Sequence, residues 1–100
     1  MRLDAALCDY EGPSGTQKTR CYNGGIPGPT IRIKPGTTLT VELTNSLSTP
    51  LVDTSGLHNV YKTPQTTNLH THGLHVSGNE PQDSVFVTLE PGETLSLIHI

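Results

Sequence analysis

Twice in this chain a Pro-Gly pair feeds a run of alternating apolar and polar residues: Pro35-Gly36 ahead of Thr38 to Leu43, and Pro91-Gly92 ahead of Thr94 to Ile98. In the first run Leu39, Val41 and Leu43 share one face, with Thr38, Thr40 and Glu42 on the other. A period of two buries one face of a strand and cannot bury one face of a helix. The Pro-Gly pairs supply the turns. Thr30 to Lys34 alternates as well and reads as a strand, as does Val85 to Leu89, with Val85, Val87 and Leu89 on one face. Asn23 to Pro29 is dense in turn formers and excludes helix. No helical period appears anywhere. Short strands separated by turns predict an all-β sandwich. A sandwich of this kind commonly has about seven strands, and the pattern supplies fewer. The last apolar run reaches His99-Ile100 without a closing turn, which would leave an open edge. The chain is therefore expected to be a truncated domain, incomplete at its C-terminal side. Residues 1–100 read as one domain. Residues 1–21, with weak periodicity, read as an N-terminal extension, and residues 46–67, rich in Ser, Thr, Pro and Asp, as a long surface loop.

The second strong feature is Asn68-Leu69-His70-Thr71-His72-Gly73-Leu74-His75, which holds three of the five histidines. Asn68 to Val76 reads as a strand that Gly73 could bend or end; on it His70 and His72 project from one face, and Leu69 and Thr71 from the other. Imidazole is a preferred ligand of copper, zinc, iron and nickel, so two rings side by side offer half of a metal site. By spacing alone the more ordinary reading is two polar residues hydrogen-bonded on a half-exposed strand. His75 falls on the opposite face if the strand continues. A three-histidine zinc set of His70, His72 and His75 would need a bend at Gly73. His58 and His99 read as structural or solvated. Asp83 and Glu80 could orient an imidazole N–H or serve only as turn formers in water.

Hydrophobic residues are 32% of the 100, with four per cent aromatic and no Trp. A domain of this size buries about two-thirds of its unfolded surface, so the core is expected to be thin. The net charge of −3, without any Lys/Arg cluster, argues against nucleic acid as a partner. No apolar run approaches the roughly 20 residues a membrane span needs. Met1 to Leu7 is too short and polar for a signal peptide, so either the protein is intracellular or its true N-terminus lies upstream. Cys8 and Cys21 are either a disulfide, contributing roughly 3 kcal/mol by loop closure, or two free thiols. The sequence leaves both open.

At Asn23-Gly24-Gly25-Ile26-Pro27-Gly28-Pro29-Thr30-Ile31 and at Leu69-His70-Thr71-His72-Gly73 the chain resembles the first cupredoxin (plastocyanin-like) domain of multicopper oxidases, the laccase-like enzymes. The order of segments also agrees, with Pro-Gly before a strand ending in Thr44-Asn45 and a later Pro-Gly-Glu turn. The likeness covers roughly residues 22–97. It implies a cupredoxin-like Greek-key β-sandwich and copper as cofactor. It also implies that His70 and His72 are one of four His-x-His pairs around a trinuclear copper cluster that reduces dioxygen to water, His70 toward the type 2 copper and His72 toward a type 3 copper. The remaining cupredoxin domains, dioxygen and a reducing substrate would be partners of the parent oxidase. Many members carry Trp between the two histidines, where this chain has Thr71. The domain's second His-x-His and the blue-copper ligands are not in these residues, so the chain alone is expected to lack oxidase activity. Many such oxidases are secreted, which would suit a Cys8–Cys21 disulfide; the compartment stays open. Two other readings remain: a small stand-alone copper-binding protein, and a β-module that binds another protein without metal.

Overall fold

The computed structural model describes residues 1–47, 65–80 and 82–99, with only the backbone of 98 and 99. Most of the expected 46–67 loop, with His58, lies outside the described residues, as does the side chain of His99. The described residues hold four strands and no helix: β1 (Arg2–Gly12), β2 (Gly15–Tyr22), β3 (Leu39–Asn45) and β4 (Thr94–His99). They form one mixed sheet in the order β2-β1-β3-β4. The protein is all-β, as its alternating runs predict, and consistent with a cupredoxin-like fold.

β3 is the strand that the pattern described best. Val41 and Leu43 are buried, Leu39 is half-buried, and Thr40 is exposed. Antiparallel pairing sets Val41 opposite Leu97 and Leu43 opposite Leu95. The second Pro-Gly run thus lands on the first, apolar face on apolar face. On its other side β3 runs parallel to β1, with Leu3 opposite Leu43 and Ala5 opposite Asn45. The core is small: Leu3, Ala5, Val41, Leu43, Leu89 and Leu97, with Tyr22, Leu39, Leu69 and Leu95 packed against it. Leu43 and Leu97 are completely buried, each worth about 2 kcal/mol in transfer free energy.

Residues 1–21, expected as an extension, supply two of the four strands. β1 pairs antiparallel with β2 from Ala5–Tyr22 to Gly12–Gly15. Its period is weak because only its first half meets the core: Leu3 and Ala5 are buried, while Leu7 and Tyr10 are exposed. Cys8 and Cys21 are joined as a disulfide between these strands, with Cα atoms 5.9 Å apart. This settles the question the sequence left open. At the end of β2, Asn23 takes a positive φ of 51°, which Asn tolerates better than most residues. Its side chain closes the hairpin on β1, accepting from Asp4 N–H at 2.7 Å and donating to the Arg2 carbonyl at 3.1 Å. Gly28 then passes so close to Tyr22 that a Cβ there would lie 2.9 Å from the tyrosine's own, so the turn needs Gly at that position.

Three expected strands are not formed. Residues 30–34 are outside any strand and exposed; Pro27 and Pro29 just upstream lack the N–H that a ladder requires. Residues 68–76 are also outside any strand. Only the bridge Thr67–Leu89 leads into them. In the run from Val85 to Leu89, Leu89 alone is buried, while Val85 and Phe86 are exposed. Ser84 redirects this run. Its hydroxyl accepts from Phe86 N–H at 3.3 Å and its carbonyl from Val87 N–H at 3.4 Å, so local side-chain bonding replaces the ladder. No helix among the described residues is long and apolar enough to cross a membrane.

Candidate metal centre

The histidine segment lies on the sheet because its alternate residues still point inward. Leu69 is half-buried against the core, and Thr71 is half-buried beside it, while His70 and His72 are exposed. Leu69 and Thr71 help line an apolar cavity of about 250 Å³ with Leu3, Ile31, Ile33, Leu39, Val41 and Leu74. The expected division of faces therefore holds without the expected strand. Thr67 anchors the segment at one end by exchanging both backbone hydrogen bonds with Leu89, at 3.1 and 2.9 Å. Asn68 stitches it to the opposite loop: its amide donates to the Ser84 carbonyl at 2.7 Å, and its oxygen accepts from Leu69 N–H at 2.8 Å.

The two imidazole rings have centroids 6.2 Å apart and planes inclined at 52°. His70 Nδ1 lies 3.1 Å from Asp83 Oδ1. The Asp83 side chain is 6% exposed against 50% for His70. The same carboxylate takes two bonds from Thr71, from N–H to Oδ1 at 2.9 Å and from the hydroxyl to Oδ2 at 2.7 Å. Those two bonds, with a smaller part from His70, hold the Asp83 carboxyl below its ordinary pKa against the opposing effect of burial. An ionised carboxylate only accepts, so His70 Nδ1 carries the hydrogen. In the neutral ring the lone pair is then on Nε2, and the ring is exposed.

Gly73, at φ 82°, turns the chain immediately after His72, a conformation that Gly adopts at little cost. The bend that a three-histidine zinc set requires is thus present. Even so, no group of three His, Cys, Asp or Glu side chains gathers among the described residues in a way that could hold a metal ion. His75 is exposed and does not join the pair. Glu80 is exposed, so of the two acidic residues considered, Asp83 is the one that meets an imidazole. Thr71, expected simply to face away from the site, carries most of the bonding to Asp83. The spacing of thirteen residues between His70 and Asp83 has no local periodic signature, and only the loop's return brings them together.

The donor set suits a transition-metal ion in part. Two imidazoles with ring centroids 6.2 Å apart can each present one nitrogen when neutral, and the carboxylate behind His70 is the usual outer partner that fixes a ligating ring. Two nitrogens leave most of a coordination sphere to other groups. A sequence model of the multicopper oxidase family matches residues 8–63, from the middle of β1 into the segment preceding the histidines. No solved structure matches the chain.

Proposed function

From the premise that this chain belongs to the multicopper oxidase family, we propose that it is a partial plastocyanin-like domain of a copper-dependent oxidoreductase. In this reading His70 and His72 supply one His-x-His ligand pair to a trinuclear copper cluster that reduces dioxygen to water. The observation that carries it is the pairing of two exposed imidazoles, 6.2 Å apart, one of them backed by a buried carboxylate. The family match stops short of His70, so the ligand role rests on this geometry and on the resemblance around the motif.

Copper bound there would supply the one-electron steps that dioxygen reduction needs. The chain's own residues do the holding and orienting. Asp83 accepts the His70 Nδ1 hydrogen and so selects Nε2 as the free nitrogen. Leu69 and Thr71 fix the backbone on the core side. Gly73 ends the segment so that His72 stands beside His70. The other ligands belong to the rest of this domain and to the remaining cupredoxin domains of the parent oxidase, and the site where a reducing substrate gives up electrons belongs to those other domains.

The test is copper(II) binding by the 100-residue chain, followed by electron paramagnetic resonance. The expected result is a type 2 signal with nitrogen coupling, lost in His70→Ala and in His72→Ala, and no oxygen uptake with a phenolic reductant. A chain that takes up no copper, or whose signal survives both substitutions, refutes the ligand assignment. Oxygen uptake by the chain alone refutes the need for the other domains.

A further inference from the structure

We infer that Thr71, the residue between the two histidines, is a positioning residue that fixes the orientation and tautomer of His70 through Asp83. The inference rests on the ligand reading only for its consequence on copper. Three donors reach the Asp83 carboxylate among the described residues, and two of them come from Thr71: N–H to Oδ1 at 2.9 Å and hydroxyl to Oδ2 at 2.7 Å. One bond to each oxygen fixes both the position and the plane of the carboxylate. Oδ1 is then held 3.1 Å from His70 Nδ1.

Asp83 is nearly buried, so little water is available to replace a lost donor. Its own backbone N–H is tied to the Ser77 carbonyl at 3.1 Å, which leaves the side-chain torsions as the freedom that Thr71 removes. The residue type suits the position. Thr71 also lines the apolar cavity beside Leu69 and Leu74, and Thr carries a hydroxyl for Asp83 together with a methyl compatible with that wall. Valine would keep the shape and lose the hydroxyl; serine would keep the hydroxyl and lose the methyl. An aromatic residue has no hydroxyl on Cβ to reach the carboxylate, so this chain orients His70 in a way that such a side chain could not reproduce.

The experiment compares wild type with T71V, T71S and T71A by nitrogen-15 shifts of the His70 ring in the metal-free chain, and then by copper(II) titration. The expected result is one His70 tautomer, protonated at Nδ1, in wild type and T71S, and a mixture of both in T71V and T71A. Copper affinity should fall about 10- to 100-fold in T71V, as when an outer partner of a ligand is removed, and less than about 3-fold in T71S. T71A carries the same test if T71V does not fold. A wild-type tautomer and affinity in both T71V and T71A overturn the inference. A loss in T71S equal to that in T71V also overturns it, because packing rather than the hydroxyl would then be responsible. A wild-type chain with a Thr71-dependent tautomer but no copper uptake upholds the positioning role and refutes the ligand reading instead.

Discussion

Asn45 offers the sharpest test of how the sheet holds the histidine segment in place. It ends β3 with its side chain completely buried. Its amide donates to the Gln65 carbonyl at 2.7 Å and to the Leu89 carbonyl at 2.8 Å, and its oxygen accepts from Leu47 N–H at 3.0 Å. Leu89 is one partner of the Thr67–Leu89 bridge and Gln65 lies just before the other, so one side chain joins the core strand to both arms of the candidate site. Asn45→Leu keeps the branched shape and the number of heavy atoms, with bulkier methyl ends, and removes all three bonds. At a net value of about 1 kcal/mol per hydrogen bond, the loss is about 3 kcal/mol. The buried Leu47 N–H is left without that acceptor, which argues for the full value; the Leu89 carbonyl keeps its bond from Thr67 N–H at 3.1 Å, which argues against a larger one. For a domain of this size 3 kcal/mol corresponds to a drop in Tm of roughly 12–24 °C. Thermal unfolding followed by circular dichroism, with the exposed Thr40→Ala as the control, measures it. The control should move by less than about 0.5 kcal/mol. An Asn45→Leu midpoint within the range of that control would refute the assignment of Asn45 as the buried link between sheet and site.

Leu43→Ala, at a completely buried position, should cost about 2–5 kcal/mol in urea unfolding; a cost under about 1 kcal/mol would contradict the core described above. Replacing Cys8 and Cys21 together by Ser should cost roughly 3 kcal/mol by the loop-closure argument, without changing copper affinity, since the disulfide joins β1 to β2 and not to the histidine segment. Asp83 has a carboxyl pKa lower in the folded chain than its ordinary 3.8. Its ionised form is therefore favoured by folding, and the associated stability is complete above about pH 4 and declines as pH falls through the lower folded value. The difference in urea midpoint between wild type and Asp83→Asn should shrink as pH falls below about 4. A difference that grows on acidification would reverse the sign of that argument.

The parts of the molecule that could be read from the chain are those whose signal is local. β3 and β4 announce themselves by alternation after a Pro-Gly turn, and their apolar faces meet as the pattern requires. The pairing of His70 with His72 is legible from a spacing of two, and the family resemblance from short motifs of fixed order. Other features depend on residues far apart in the chain. β1 owes its place to parallel pairing with β3 across some forty positions, and its own pattern is diluted because half of it never touches the core. Val85 to Leu89 has the alternation of a strand, yet Ser84 turns it away from any ladder. Asp83 reaches His70, and Asn45 reaches Gln65 and Leu89, over separations of 13, 20 and 44 residues. A polar residue shows nothing in its neighbours about which distant donor or carbonyl it will meet. Periodicity records which face of a segment avoids water. The partner of a buried polar group is set by how separate segments close on one another, and that information exists only once the chain has folded.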